Sequence, residues 1–297
     1  MSERAEELAA AYSAVRPRLV GIAYAVLGTR AEAEDVVSDC WLRLAHADAR
    51  EPVRDVAGWA VVAVSRRALD VLRSARVQRE SYIGPWLPEP ILDDPADRVS
   101  LDERVSFALM VVLETLSPAE RTAWVLHELF GMPFPEIARV VGRSPAAVRQ
   151  LASRARAHVA TGAPRLDVDA ADHRRTVEAF LAATAGGDLA GLLAVLDPDV
   201  MLTSDGGGIA LAARRPVLGA DRVARLLLGA AHRQPVVHRA VTINGQAGYA
   251  TTDPDGRLLA VCALTVRDGR VVRVDLVMSP AKLPQPSHDE TVGSGPT

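Results

Sequence analysis

Ser144-Pro145-Ala146-Ala147-Val148-Arg149-Gln150-Leu151-Ala152-Ser153-Arg154-Ala155-Arg156 begins with a helix start and continues as two unlike faces. Ser144 is a good N-cap and Pro145 suits the first helical position, where its missing N–H has no partner to lose. Val148, Leu151, Ala152, Ala155 and Val159 recur at helical spacing on one face, with Arg149, Gln150, Ser153, Arg154 and Arg156 on the other. Just upstream, Gly142 can take a left-handed conformation and so end a short amphipathic helix over Pro135–Val141. Before that, Phe130-Gly131-Met132-Pro133 breaks a helix that starts at Ser117-Pro118-Ala119-Glu120, again with cap, proline and glutamate, and runs to about Glu128. Helix, tight glycine turn, helix is the arrangement that lets the second helix enter a major groove. From Ile137 to Leu166 there are six arginines and no Asp or Glu, although the whole chain has a formal net charge of −3. Such local segregation attracts phosphates by counterion release. A helical hairpin with a solvated basic face would share the amphipathicity, but the two caps, the glycine and the acid-free stretch agree on groove binding.

Working outward, residues 1–80 read as helices without strand-like alternation. Ala31–Leu44 is amphipathic: Val36, Val37, Cys40, Trp41 and Leu44 line one side, and Glu32, Glu34, Asp35 and Asp39 make the rest acidic. An acidic face beside an aromatic suits a basic protein partner better than DNA. Asp48–Gly58 reads as a loop, after which Trp59 leads a helix to Arg79. That helix carries Arg66, Arg67, Arg73, Arg76 and Arg79 against one acid, Asp70, a pattern suited to DNA contact, including unpaired bases. Residues 81–104, with Gly84, Pro85, Pro88, Pro90 and Pro95 among acids, read as a linker, and 105–162 is helical again.

Past residue 170 the texture changes. Helical stretches at roughly 170–185 and 188–196 precede β-branched runs at Val200–Ser204, Val236–Asn244, Leu258–Val266 and Arg270–Met278. Asn244-Gly245, Asp255-Gly256 and Asp268-Gly269 break these runs and signal hairpins. The tail 284–297 is polar with Pro and Gly and is expected to be disordered. With 297 residues, two or three domains are expected. No stretch is apolar enough to span a bilayer, and the charged start Met1–Glu7, without a following apolar run, leads us to expect no secretory signal. Cys40 and Cys262 fit neither a metal motif nor a disulfide framework, so a reducing cytoplasmic setting is expected, without cofactor or metal.

The ordered pair of modules resembles an extracytoplasmic-function (ECF) sigma factor of bacterial RNA polymerase over residues 5–160. The resemblance implies region 2 over 1–80, a linker over 81–104 and region 4 over 105–162. It places the polymerase contact on Glu34, Asp35, Val36, Asp39 and Trp41. It assigns −10 element reading to Trp59, Arg66, Arg67 and Arg73. For the −35 element it points to Arg143, Ser144, Ala146, Arg149, Gln150, Ser153 and Arg154. Trp86-Leu87-Pro88-Glu89-Pro90 is similar to a linker motif of the subgroup that carries an α+β NTF2-like (SnoaL-like) cone, here 168–283. Asp205-Gly206-Gly207-Gly208 resembles that subgroup's DGGGK motif, with Ile209 in place of Lys. Ser279-Pro280-Ala281-Lys282-Leu283 is similar to its NPDKL motif. Lys282 is the single lysine of the chain. The implied fold is thus multidomain, two all-α modules followed by an α+β cone. The implied partners are core RNA polymerase and promoter DNA, with no membrane and no obligatory anti-sigma factor. Regulation is implied in cis, through Trp86, Leu87, Pro88, Asp205, Gly206, Gly207 and Lys282.

Two other readings remain open at this point. A free-standing helix-turn-helix regulator with a ligand-sensing domain would have no use for the acidic helix followed by the arginine helix. A fused enzyme would need a paired acid and base in the cone. Its candidates are Asp205, which precedes three glycines and is expected to shape a turn, and His232 and His238, which flank Gln234-Pro235 and are expected at a surface loop.

Overall fold

The computed structural model describes residues 3–79, 82, 84–92, 105–162, 169–231 and 235–283. The N-terminal module is a three-helix unit: α1 (Glu3–Leu27), α2 (Arg30–Arg50) and α3 (Val56–Arg79). The stretch read as a loop over Asp48–Gly58 is shorter than expected, because α2 continues to Arg50 and Asp55 Oδ1 accepts the Gly58 N–H at 2.9 Å, satisfying one of the free donors of α3's first turn. The second helical module follows as α4 (Phe107–Leu113), α5 (Pro118–Trp124), a π-helical turn (Val125–Leu129), α6 (Phe134–Val141) and α7 (Pro145–Gly162). Ser117 and Glu120 form the reciprocal capping box at the start of α5. Gly142 turns left-handed (φ 72°, ψ 38°) between α6 and α7.

The C-terminal domain opens with α8 (Ala170–Ala185) and α9 (Leu189–Val195). Then come β1 (Leu196–Asp205), β2 (Val217–Leu218), α10 (Ala220–Ala231), β3 (Val237–Ile243), β4 (Gln246–Thr252), β5 (Leu258–Arg267) and β6 (Arg270–Val277). The six strands run in the order β2-β1-β6-β5-β4-β3, with β1 and β6 parallel and the other neighbours antiparallel. Positive φ at both Asn244 and Gly245, and at both Asp268 and Gly269, closes the tight β3–β4 and β5–β6 hairpins. One face of the sheet packs on the three helices, burying Phe180, Leu192, Val200, Val223, Tyr249 and Val274. This is the α+β half expected from the NTF2-like resemblance.

The modules do not stand apart. A single apolar core contains Ile22, Val64 and Leu69 of the first module together with Leu126, Val140 and Leu151 of the second. The contacts run from α3 to α5 and α6, and from α1 to the π-helical turn. A separate cluster joins the linker and α4 to the outer face of the sheet: Leu87, Phe107 and Val111 pack on Ile243, Val261 and Val277. Burial of large apolar side chains at about 25 cal/mol per Å² holds both junctions.

Candidate nucleic-acid interface and interdomain latch

Helix α7 is positioned by the left-handed turn at Gly142 and by Val148, Leu151, Ala152 and Ala155, which are buried against the second module. Its opposite side is open. Arg143, Ser144, Ala146, Arg149, Gln150, Ser153 and Arg154 are all exposed. The Arg149 guanidinium lies 5.6 Å from the centre of the Phe134 ring, which sets its direction. Arg154 Nε is paired with Glu120 Oε1 at 3.0 Å, and Arg156 pairs with Glu128. Arg149, Gln150 and Ser153 therefore form the least encumbered part of the basic face.

On α3 the three arginines and one tryptophan of the −10 set are not equivalent. Trp59 is half-buried against the core shared by both modules. Arg66 donates from Nε (2.9 Å) and Nη2 (2.5 Å) to the carbonyl of Arg139 in α6, so it ties the two modules together. Arg67 approaches Asp39 of α2 at 3.8 Å, and Arg73 pairs with Asp70 on its own helix at 3.5 Å. On α2, Asp35 and Asp39 are exposed, Glu34 is half-buried and paired with Arg30 at 2.9 Å, and Trp41 is half-buried against Tyr12. Val36, expected on the polymerase side, is 3% exposed and belongs to the core, because it faces α1 and α3 rather than solvent. Leu42, one turn beyond Asp39 and 59% exposed, supplies the apolar element of that outer stripe instead.

The three short motifs meet at one point. Asp205, at the end of β1, is fully buried. Its Oδ2 accepts from Lys282 Nζ at 2.6 Å and from the Leu87 N–H at 2.9 Å. Its Oδ1 accepts from the Tyr82 hydroxyl and, at 3.0 Å, from the Gly207 N–H. Lys282 also donates to the Leu87 carbonyl at 2.6 Å, and its ammonium lies 3.8 Å from the Trp86 ring centre. Burial, and next the hydrogen bond to Asp205, push the Tyr82 hydroxyl pKa up, so it stays a donor. Gly207 is required by close approach, since a Cβ there would stand 2.5 Å from Ser279 Oγ. Gly206 has the neighbouring place in the same turn, and Pro88 is buried beside Leu87. Asp205 does shape its turn, as read, but the larger part of its bonding goes to the linker and to Lys282. Ile209, at the position of the missing lysine, is 81% exposed, so the ammonium of this latch comes from Lys282 alone.

A second knot was not foreseen. Asn244, at the β3–β4 turn, is 4% exposed. Its side chain accepts from the Ile91 N–H at 3.0 Å and donates to the Tyr24 hydroxyl (2.9 Å) and the Val105 carbonyl (3.3 Å), while its own N–H reaches the Ile91 carbonyl at 2.8 Å. Glu89 extends the junction by accepting from the Arg30 N–H at 2.7 Å, and burial raises its carboxyl pKa. One asparagine thus binds the first module, the linker, the second module and the sheet.

The enzyme candidates are not brought together. His238 lies in strand β3 rather than in a surface loop; it is half-buried, contacts Thr251 Oγ1 at 3.0 Å and stands edge-on to Tyr249. Burial lowers its pKa. It is four strands from Asp205, about 19 Å at the usual strand spacing. His232, Pro95 and the tail 284–297 lie outside the described residues. Both cysteines are free and buried. Among the described residues no helix is long and apolar enough to cross a membrane, and no group of acids, histidines and cysteines could hold a metal.

The Sigma-70 region 2 family model matches residues 11–77 and the Sigma-70 region 4 model matches residues 106–159. The chain is 42% identical over 289 residues to the ECF RNA polymerase sigma factor SigJ of Mycobacterium tuberculosis (strain ATCC 25618 / H37Rv), covering 91% of each chain. It is 36% identical over 283 residues to that organism's probable ECF RNA polymerase sigma factor SigI, covering 94% of this chain and 95% of the other. The crystal structure of M. tuberculosis SigJ superposes with a TM-score of 0.74 at 38% identity over 91% of this chain and 95% of that one. The protein belongs to the ECF RNA polymerase sigma factors. The SigJ likeness extends through the C-terminal α+β domain as well as the two sigma modules.

Proposed function

We propose that this sigma factor is held closed by its own C-terminal domain and is opened by core RNA polymerase. Region 4 reads the −35 element through Arg149, Gln150 and Ser153, flanked by Arg143, Ser144, Ala146 and Arg154. Region 2 reads the −10 element through Trp59, Arg66, Arg67 and Arg73. Polymerase docks on the α2 stripe of Glu34, Asp35, Asp39, Trp41 and Leu42. The observation that carries this reading is the pair of hydrogen bonds from Arg66 to the Arg139 carbonyl, across a core that both modules share. In that arrangement α3 is covered by the module that should engage DNA elsewhere, so promoter reading requires separation. The latch at Asp205 and Lys282 and the knot at Asn244 fasten the linker to the sheet, and this favours the closed state. In this reading a separate anti-sigma factor is not needed, the C-terminal domain is a clamp and not an enzyme, and the molecule works in the cytoplasm.

The test uses holoenzyme reconstituted from the full chain and core polymerase, on promoters it selects from a randomised library. Arg149→Ala is expected to cost about 1–3 kcal/mol at one −35 base pair and to relax preference there. An equal loss on every sequence would make Arg149 a phosphate contact. Failure to transcribe from any selected promoter would overturn the reading.

A further inference from the structure

A cavity of about 250 Å³ lies where α3, the linker and the start of region 4 meet, lined by Leu72, Arg76, Trp86, Glu114, Leu116, Pro118 and Arg121. Its polar end is unusual. Arg121 is 1% exposed; its Nε donates to the Ala25 carbonyl at 3.0 Å and its Nη1 to Glu114. Its Nη2 is buried and makes no hydrogen bond among the described residues. A buried donor of that kind costs stability unless something accepts from it. Gly28 packs closely against this end of the cavity: a Cβ there would stand 2.9 Å from Glu114 Oε1, 3.0 Å from Trp86 Cη2 and 3.4 Å from Arg121 Nη2, so only glycine fits. Arg76, on the rim, donates from Nη1 to the Leu116 carbonyl at 3.1 Å, leaving its other nitrogens for a ligand.

We propose that this cavity binds a small planar carboxylate that holds the sigma factor closed. Two guanidinium groups and one carboxylate leave the lining one positive charge in excess, which suits a monoanion. Glu114 opposes a dianion. Leu72, Leu116, Pro118 and the Trp86 indole form an apolar wall for a ring or short hydrocarbon body. The volume lies below the ~300–1,000 Å³ typical of drug-sized ligands, so the ligand is small. The carboxylate accepts from Arg76 on the rim, with the buried Arg121 guanidinium adding positive charge behind it, and the body rests on Trp86.

The lining comes from region 2, the linker and region 4 together, so the site exists only while they are packed. Trp86 also lies under the Lys282 ammonium, which connects the cavity to the latch. By linkage, a ligand that binds the closed form alone disfavours promoter engagement. This inference rests on the closed arrangement proposed above.

The full-length protein is heated with benzoate, salicylate or phenylacetate at about 20 mM, each against its neutral amide and against sodium phosphate of equal ionic strength. At least one carboxylate is expected to raise Tm by about 2–5 °C, with no response to the amides or to phosphate. Arg76→Met, a rim substitution that leaves the core intact, is expected to abolish that increment. Absence of a response to all three acids, an equal response to the amides, or a response kept by Arg76→Met would overturn the proposal. A response to phosphate equal to that of the acids would overturn it too. A spin-label distance between α3 and α7 on the same samples separates the two failures. A closed chain without a carboxylate response defeats this site alone, whereas an open free chain defeats the closed reading itself.

Discussion

Lys282→Met is expected to destabilise the closed arrangement by about 3–5 kcal/mol. Asp205 is fully buried, and Lys282 is the one cation within reach of its carboxylate among the described residues. Removing the ammonium leaves that charge with only the Tyr82, Leu87 and Gly207 donors, and leaves the Leu87 carbonyl without its partner. The methionine fills similar space, so packing around Trp86 is largely kept and the loss is electrostatic. Urea unfolding of the full chain measures it as a lowered midpoint. The double variant Asp205→Asn/Lys282→Met is expected to be more stable than Lys282→Met alone, because no unpaired charge is left inside. Equal stabilities of wild type and Lys282→Met would mean that the pair contributes nothing to closure.

Asn244→Gly is expected to cost about 2–4 kcal/mol. Glycine tolerates the positive φ of 47° at this position, so the turn itself survives. What is lost are the side-chain bonds to Ile91, Tyr24 and Val105, and each buried group left unsatisfied costs about 1–3 kcal/mol, reduced where water can enter. The check is local: hydrogen exchange at the Ile91 amide should accelerate by two to three orders of magnitude, on the order of the same free energy. The β5–β6 hairpin amides, remote from the junction, should change little. Unchanged protection at Ile91 would remove Asn244 from the role assigned to it.

Much of the DNA-reading element was legible, because its signals are local. The caps at Ser117 and Ser144, the glycine at 142 and the acid-free run after Ile137 all act within one or two turns of helix. Strands β1, β3, β5 and β6 were legible from β-branched runs and their hairpin dipeptides. Strand β4 was not: Gln246-Ala247-Gly248-Tyr249-Ala250-Thr251-Thr252 lacks such a run, since Gly248 must admit Ile243 Cδ1 within 2.4 Å of where a Cβ would be. The short β2 and helix α10 were likewise not anticipated. The three short linker and C-terminal motifs were legible as motifs, and they meet at Asp205 and Lys282.

The non-local contacts were hidden. Arg66 spends its guanidinium on a backbone carbonyl, which carries no side-chain signature. Asn244 reads as a turn residue, and nothing in Asn-Gly announces bonds to residues as distant as Tyr24. The proline-rich linker reads as a spacer, yet Leu87 and Ile91 are 1% and 7% exposed, because its prolines hold an extended strip that lies in an interface rather than in solvent.

The most direct measurement of closure is the distance between spin labels at Ser74→Cys on α3 and Ala157→Cys on α7, both exposed sites, while the native cysteines are buried. The free full-length protein is expected to give one short, narrow distribution that lengthens when core RNA polymerase and promoter DNA are added. A broad or long distribution in the free protein, or a short one unchanged in the promoter complex, would contradict a closed sigma factor that polymerase opens.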